Sequence, residues 1–278
     1  MARNLLGAGY PVTVYARRPE AAAPLAAAGA ATAATPAALA AQSDVVVTMV
    51  TDTAAVEAVL CGEDGVLAGA APGTVVIDHS TIDPRGARRL AAQAAERGVV
   101  MLDVPVSGGV IGVEARTLVM MAGGPEDVVR SLEPLMRVNA ARVIHMGEAG
   151  CGQAAKACTQ ICVVVNQMGV AESLTLAGAL GLDQRRLLDV LQGGFGASRI
   201  LEVQGPKMVA RDFTGRIESR LHDKDIHLVL DLARDAGLDL PASAAAASTL
   251  RALQQAGGAT DDTAAVIRVL EGRRTPPG

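Results

Sequence analysis

The sequence predicts a doubly wound α/β domain built on a parallel sheet, followed by an all-α domain. Three observations lead to this fold class. Short β-branched runs recur through the first half, Ala-rich stretches of helical length separate them, and the strand pattern stops after Met146. Continuous apolar runs that alternate with helices are typical of a parallel sheet covered on both faces. We therefore assign residues 1–147 to the sheet domain and residues 148–278 to the helical domain.

In chain order, strands and helices alternate through the first domain. The predicted strands fall at 12–15, 45–50, 75–78, 99–103 and 143–146, and the predicted helices at 19–29, 53–60, 84–97 and 126–138. In the second domain one long apolar helix extends over residues 150–181. Shorter helices follow at 184–192, 221–237, 243–256 and 262–270, with Asp183 and either Thr260 or Asp261 at N-cap positions.

The composition narrows the possible functions. Of the 278 residues, 50% are hydrophobic and 19% are charged, which supports a sizeable core and excludes wholesale disorder. Two Phe, two Tyr and no Trp leave few side chains for base stacking, and a net charge of −4 opposes a polyanion. We therefore expect no nucleic-acid partner.

We expect a soluble cytoplasmic protein that has no membrane partner. The most apolar stretch, at 161–182, contains polar and charged side chains, so it falls short of the roughly 18–20 apolar residues of a membrane helix. The first residues lack the pattern of a secretory signal, and the four cysteines suit a reducing compartment. Without metal-binding spacing nearby, Cys158 and Cys162 are expected to be buried as small apolar side chains, and no metal site is predicted.

The first candidate site is the segment GCGQAAK at 150–156, which opens the long helix. Glycines let the backbone approach a ligand closely, and Lys156 lies one turn into the helix, where we expect it to be buried. Burial disfavours the charged form of an amine and so suits proton transfer near neutral pH. A surface lysine in an ordinary interdomain turn fits the spacing equally well.

Two further segments directly follow predicted strands, where ligands bind to open parallel sheets. In DVPVSGG, at 103–109, Ser107 and the backbone amides after it could bind a carboxylate, although a simple Pro/Gly turn is the commoner fate of such a string. In STIDP, at 80–84, the polar residues could contact a ligand, but capping of the next helix explains them adequately. The sequence has no G-x-S-x-G motif that would indicate a hydrolase.

Taken together and in this order, the segments resemble the β-hydroxyacid dehydrogenase family. The similar strings, which cover essentially the whole chain, are MARNLL…VTVYARRPE, DVVVTMVTD, DHSTIDP, DVPVSGGVIGVEARTLVMMAGG, GCGQAAKACTQ, LHDKDIHL and DDTAAVI. The resemblance implies a Rossmann-type domain followed by an all-α domain in a homodimer or homotetramer. It also implies NAD(P)-dependent interconversion of a small β-hydroxyacid and its semialdehyde, of the 2-hydroxy-3-oxopropionate or 3-hydroxyisobutyrate type.

The resemblance implies roles for individual residues on the substrate side. Lys156 matches the family's catalytic lysine, which gives a proton to the carbonyl oxygen in reduction and removes one from the hydroxyl in oxidation. Ser107, Gly108 and Gly109 match the loop that binds the substrate carboxylate. Gln160, one turn after Lys156, stands where the family has an Asn or Gln that orients the substrate.

On the cofactor side, Val50, Thr51 and Thr81 match positions beside the nicotinamide, and Lys224 matches a lysine near the cofactor. Without the resemblance, Lys224 and Asp225 form an ordinary exposed charge pair. Enzymes that prefer NAD usually have an acid after the second strand of the nucleotide-binding unit. The corresponding segment of this chain ends in Arg17 and Arg18, whose guanidinium groups suit a 2′-phosphate. We therefore expect a preference for NADP, while NAD remains possible.

The chain also departs from the family's pattern. Thr159 and Thr51 replace a common Asn and a common Pro, which looks tolerable. The family begins with a strand and a G-x-G-x-x-G loop, whereas Met1 falls inside the helix that follows them, so we expect Met1 to be an internal methionine of the natural chain. The alternative function is a cofactor-poor, non-catalytic homologue that serves as a binding or scaffolding subunit. Lys156 argues against an imine reductase, and the short helical domain excludes a 6-phosphogluconate dehydrogenase.

Overall fold

The computed structural model describes residues 1–215 and 217–272, and the chain divides into two compact units, Met1–Lys156 and Ala157–Gly278. The strands of the first unit are β1 (Thr13–Val14), β2 (Ala31–Thr32), β3 (Val45–Thr48), β4 (Val75–Asp78), β5 (Val100–Asp103), β6 (Val106–Ser107), β7 (Leu118–Gly123) and β8 (Ala140–Gly147). Its helices are α1 (Ala2–Gly7), α2 (Pro19–Ala26), α3 (Pro36–Ala40), α4 (Thr53–Cys61), α5 (Val66–Gly69), α6 (Pro84–Ala95), α7 (Gly109–Ala115) and α8 (Glu126–Arg137). The α/β class and the five predicted strands are confirmed.

The strands form two sheets. One is the parallel pair β1–β2, and the other has the order β3-β4-β5-β7-β6, with β8 paired to β7. Strands β3, β4 and β5 are parallel, whereas β7 runs antiparallel to β5 and β6, so the expectation of an entirely parallel sheet is wrong at this edge. The prediction missed β7 because Leu, Met and Ala dominate it, and a search for β-branched runs passes over such a segment.

The central strands β4, β5 and β7 of the larger sheet are covered on both faces. Because successive strand residues point to opposite faces, Val76 and Met101 lie in one apolar cluster while Ile77 and Leu102 lie in the other. Helices α4 and α6 are started by aspartates, since Asp52 accepts from the amide of Ala55 and Asp83 from that of Arg85. The capping interpretation of the 80–84 segment is therefore confirmed for Asp83.

The second unit contains most of α9 (Cys151–Ala179), which begins in the first unit, and the helices that follow it. These are α10 (Gln184–Gly193), α11 (Arg199–Ala210), α12 (Ser219–Asp235), α13 (Pro241–Gln255), a 3₁₀ turn (Thr263–Ala265) and α14 (Val266–Gly272). The predicted cap at Asp183 is confirmed, whereas Asp262, and neither Thr260 nor Asp261, caps the last helical segment. The prediction missed α11, which contains Gly205 and Pro206.

Helix α9 departs from two expectations. By length and composition alone it could cross a membrane, a test that core helices of soluble proteins also pass. Cys158 and Cys162 are exposed, so the expectation that they are buried is wrong. At 100° per residue these cysteines lie on the side of α9 opposite to Ala171 and Leu174, which pack into the core of the second unit.

Candidate active site

The carboxyl ends of β3 and β4 are joined through the buried carboxylate of Asp78. Its Oδ1 accepts hydrogen bonds from Thr48 Oγ1 at 2.8 Å and from Ser80 Oγ at 2.6 Å. Ser80 Oγ in turn accepts the amide of Val50 at 2.9 Å. Burial raises the pKa of Asp78, while the hydrogen bonds from Ser80 and Thr48 oppose this shift. The segments that follow the two strands, which carry the residues matched to the nicotinamide side, are thereby held together.

A second buried carboxylate ends β5 and caps helix α9. Asp103 Oδ1 accepts the amide of Gly150 at 2.7 Å, and its Oδ2 accepts the amide of Gln153 at 2.8 Å. Burial raises the pKa of Asp103; the two amides lower it and the Asp78 carboxylate raises it further. The arrangement satisfies amides at the start of α9, which would otherwise lack partners.

The glycines of the GCG string serve close packing of α9 on the sheet. A Cβ on Gly152 would lie 2.5 Å from the carbonyl oxygen of Met121 and closer still to that of Asp103. Gly150 has φ +86°, a conformation that side-chain-bearing residues rarely adopt. The sequence predicted that these glycines let the backbone approach a ligand closely. At Gly152 the backbone instead approaches strands β5 and β7.

The packed start of α9 places Lys156 beside the segment matched to carboxylate binding. The Lys156 side chain is buried, with 9% of the residue exposed, and Nζ donates to the carbonyl oxygen of Val106 at 2.9 Å. Ser107 follows directly at the end of β6 and is half-buried, while Gly108 and Gly109 are exposed with φ of +130° and +59°. The surface-lysine alternative is wrong, because the helix start lies against the sheet.

Apart from Lys224, the residues matched to the cofactor lie after strands of the first unit. Val50 and Thr51 follow β3, and Thr81 follows β4; Val50 and Thr81 are half-buried and Thr51 is exposed. Arg17 and Arg18 follow β1, are exposed, and make no ion pair or side-chain hydrogen bond within residues 1–215 and 217–272.

In the second unit, Gln160 and Lys224 meet at one carboxylate. Gln160 is buried and its Nε2 donates to Asp225 Oδ2 at 2.6 Å, while Lys224 Nζ lies 2.8 Å from Asp225 Oδ1. Asp225 is itself buried, so the interpretation of an exposed charge pair is wrong for this residue. One end of the Gln160 amide is thus held by the protein, which fixes the orientation of the side chain.

Four polar residues of this network were not predicted individually as site residues: Asp78, Asp103, Gln153 and Asp225. A usable indication was the aspartate at the end of each of two neighbouring strands. For Gln153 the only indication was its position in the segment GCGQAAK, which also contains Lys156.

Comparison with known proteins places both halves of the chain. A family model described as the NAD binding domain of 6-phosphogluconate dehydrogenase matches residues 1–147, and one described as NAD-binding of NADP-dependent 3-hydroxyisobutyrate dehydrogenase matches residues 150–270.

Individual proteins are similar over most of their length. The 2-hydroxy-3-oxopropionate reductase of Escherichia coli (strain K12) is 38% identical over 82% of this chain and 78% of that protein. The NAD-dependent L-serine dehydrogenase of Pseudomonas aeruginosa is 35% identical over 98% of this chain and 93% of that protein. The solved structure of Mycobacterium tuberculosis 3-hydroxyisobutyrate dehydrogenase with L-serine has a TM-score of 0.86 and 36% identity, and it covers 97% of this chain and 94% of that one.

Proposed function

Because the chain belongs to the β-hydroxyacid dehydrogenase family, we propose that it interconverts a small β-hydroxyacid and its semialdehyde, with Lys156 as general acid and base. The observation that carries the proposal is the buried Lys156 amine beside Val106 and Ser107. It brings together a proton donor and a segment suited to a carboxylate. The relatives support substrates that have a carboxylate and an oxygen on the β-carbon, because L-serine and 3-hydroxyisobutyrate carry a hydroxyl there and 2-hydroxy-3-oxopropionate carries the corresponding aldehyde.

The residues present fit a nicotinamide dinucleotide. Ligands of open α/β sheets bind outside the carboxyl ends of the strands, which is where Val50, Thr51 and Thr81 lie. The exposed guanidinium groups of Arg17 and Arg18 suit a 2′-phosphate, and we propose a preference for NADP. Lys224, held by Asp225, is the further residue that we assign to the cofactor. Relatives differ in this respect, because one matching family is described as NADP-dependent and one relative as NAD-dependent.

The bound nicotinamide would supply the hydride for reduction and take it up in oxidation. The protein's part is binding and proton transfer. Ser107 and the backbone amides of Gly108 and Gly109 bind the substrate carboxylate, and Gln160 orients the substrate. Lys156 Nζ gives a proton to the carbonyl oxygen in reduction and removes the hydroxyl proton in oxidation.

The test is turnover by the purified chain with glycerate, 3-hydroxyisobutyrate and L-serine, followed by nicotinamide absorbance with NADP⁺ and with NAD⁺. We expect the wild-type protein to oxidise at least one of these hydroxyacids and the Lys156→Met variant to oxidise none of them. Lys207→Met, which removes a lysine paired with Asp262, is the control for loss of a partly buried lysine. Wild-type protein that folds and oxidises none of them, in either cofactor, would contradict the proposal and favour the non-catalytic alternative.

We further propose that the chain forms a homodimer or homotetramer. The end of α9, the turn after it, helix α10 and the segment that follows α10 expose large apolar side chains that a folded protein usually covers: Leu176, Leu180, Leu182, Val190 and Phe195. Light scattering after size exclusion should give two or four times 28.2 kDa. A monomeric mass at micromolar concentration would contradict this assembly.

We also propose a cytoplasmic location. The core positions of α9, such as Val164 and Leu174, are buried among the helices of the second unit, as in the core helix of a soluble protein. Expressed protein should remain in the supernatant after ultracentrifugation. Recovery in a detergent-extractable membrane fraction would contradict this location and would indicate that α9 spans a membrane.

A further inference from the structure

Gln153 connects three elements of the first unit at a single buried position. Its backbone amide donates to Asp103 Oδ2 at the end of β5. Its side-chain Nε2 donates to the carbonyl oxygen of Ser80 at 2.7 Å, and its Oε1 accepts the amide of Ile82 at 3.0 Å. Only 1% of the residue is exposed. One turn further along α9 stands Lys156.

The two backbone groups that Gln153 binds flank Thr81. In an extended segment the carbonyl of one residue and the amide of the second residue after it face the same side, so the carboxamide pairs with them as a neighbouring strand would. Ser80 and Ile82 are each 1% exposed, whereas Thr81 between them is half-buried and accessible. Gln153 thus holds the backbone on both sides of Thr81 and leaves Thr81 itself accessible to a ligand.

The connection extends to the segment after β3. Ser80, whose carbonyl binds Gln153, also accepts the amide of Val50 through its hydroxyl. A continuous series of hydrogen bonds therefore joins Val50, Ser80 and Gln153, and Gln153 shares the first turns of α9 with Lys156.

We propose that Gln153 is a positioning residue, which sets the Val50 and Thr81 segments at a fixed distance from Lys156 so that the nicotinamide end of the cofactor is bound in register with the proton donor. This inference rests on the proposed function. The position requires one donor and one acceptor on a side chain of this length, which a glutamine carries and neither methionine nor ionised glutamate provides. Loss of the amide would leave the buried carbonyl of Ser80 and the buried amide of Ile82 unpaired.

The experiment compares Gln153→Met with Gln167→Met. Gln167 lies on the same helix and is fully buried, but its side-chain atoms have no hydrogen-bond partner in the described part of the chain, which makes it a matched control. Dissociation constants are measured for NADP⁺ and for 2′-phospho-ADP-ribose, which lacks the nicotinamide, and kcat is measured with the hydroxyacid that the wild type oxidises best. Circular dichroism establishes that each variant is folded.

We expect Gln153→Met to raise the dissociation constant of NADP⁺ at least tenfold and to lower kcat at least tenfold, while 2′-phospho-ADP-ribose binds within twofold of wild type. Gln167→Met should leave all three values within threefold. If Gln153 had only a structural role, its replacement would weaken the binding of both ligands together or of neither. Equal weakening of both, or wild-type values for both, would overturn the inference.

A second variant keeps the test decisive if Gln153→Met does not fold. Gln153→Glu retains the length and regains a donor when the carboxyl is protonated, so the ratio of variant to wild-type dissociation constants for NADP⁺ should fall as the pH is lowered from about 8 to about 6. A ratio independent of pH, or failure of both variants to fold, would overturn a positioning role. Wild-type protein without turnover or cofactor binding would instead contradict the proposed function.

Discussion

Substitution of Gly152 by alanine should destabilise the protein although it adds a good helix former to a helix. The new Cβ would lie 2.5 Å from the carbonyl oxygen of Met121 and closer still to that of Asp103. Both neighbours are backbone atoms of strands, so they cannot rotate away as a flexible side chain would. Ordinary contact between such atoms requires a separation about 1 Å greater, so α9 has to move off the sheet.

The magnitude follows from three contributions. Helix propensity favours alanine by about 1 kcal/mol, and overpacking costs about 1–3 kcal/mol. Movement of α9 also strains the bonds from the Gly150 and Gln153 amides to the Asp103 carboxylate, and hydrogen bonds to charged groups are worth about 1.5–3 kcal/mol each. With one such bond lost, the free energy of unfolding should fall by about 1.5–5 kcal/mol.

Urea unfolding followed by far-UV circular dichroism measures this change, because the chain has no Trp to report by fluorescence. The control is Gly169→Ala on the same helix, where an added Cβ meets nothing within 4 Å. That variant should gain up to about 1 kcal/mol. Opposite signs for the two substitutions are expected. A Gly152→Ala variant as stable as wild type would refute the packing explanation of the GCG string.

Three other perturbations test separate parts of the molecule. Lys156→Met should lower kcat by about 10²–10⁴-fold in steady-state assays with the circular dichroism spectrum unchanged, as expected for loss of a general acid and base; activity within tenfold of wild type would remove Lys156 from that role. Replacing Arg17 and Arg18 together by alanine should raise the dissociation constant of NADPH at least tenfold and that of NADH less than threefold in fluorescence titrations, whereas Arg130→Ala should change neither constant. An equal loss of affinity for both cofactors would show that Arg17 and Arg18 do not discriminate between them. Burial lowers the pKa of His79 to about 4 in the folded state, so as the pH falls below 6.5 the imidazole is protonated in the unfolded chain before it is protonated in the folded one. Between pH 6.5 and about 4, His79 therefore lowers the free energy of unfolding by up to about 3 kcal/mol. The stability difference between wild type and His79→Asn should therefore shift against the wild type over this range in urea titrations, and a constant difference would contradict the assignment.

The fold could be predicted wherever local pattern and final environment agree. β3 and β4 are β-branched runs that became neighbouring parallel strands of the larger sheet, and Asp183 lies where a cap is needed and caps its helix. β7 was missed because the packing of the sheet, rather than the local propensity of a Leu- and Met-rich segment, makes it a strand. The cysteines show the reverse error: Cys158 and Cys162 belong to an apolar helix, but which side of the helix is covered depends on the neighbouring elements.

The same distinction holds for the candidate site. By itself the sequence determined which residue types stand at strand ends and helix starts. It therefore predicted Lys156, Ser107 and Thr81 as site residues, together with the family to which their order belongs. Only the tertiary structure decided which of these groups share hydrogen bonds. Asp103 binds amides 47 and 50 residues later, and Gln153 binds backbone groups 71 and 73 residues earlier. The physical reason is that hydrogen bonding and burial depend on distance in space, which no local periodicity of the chain encodes.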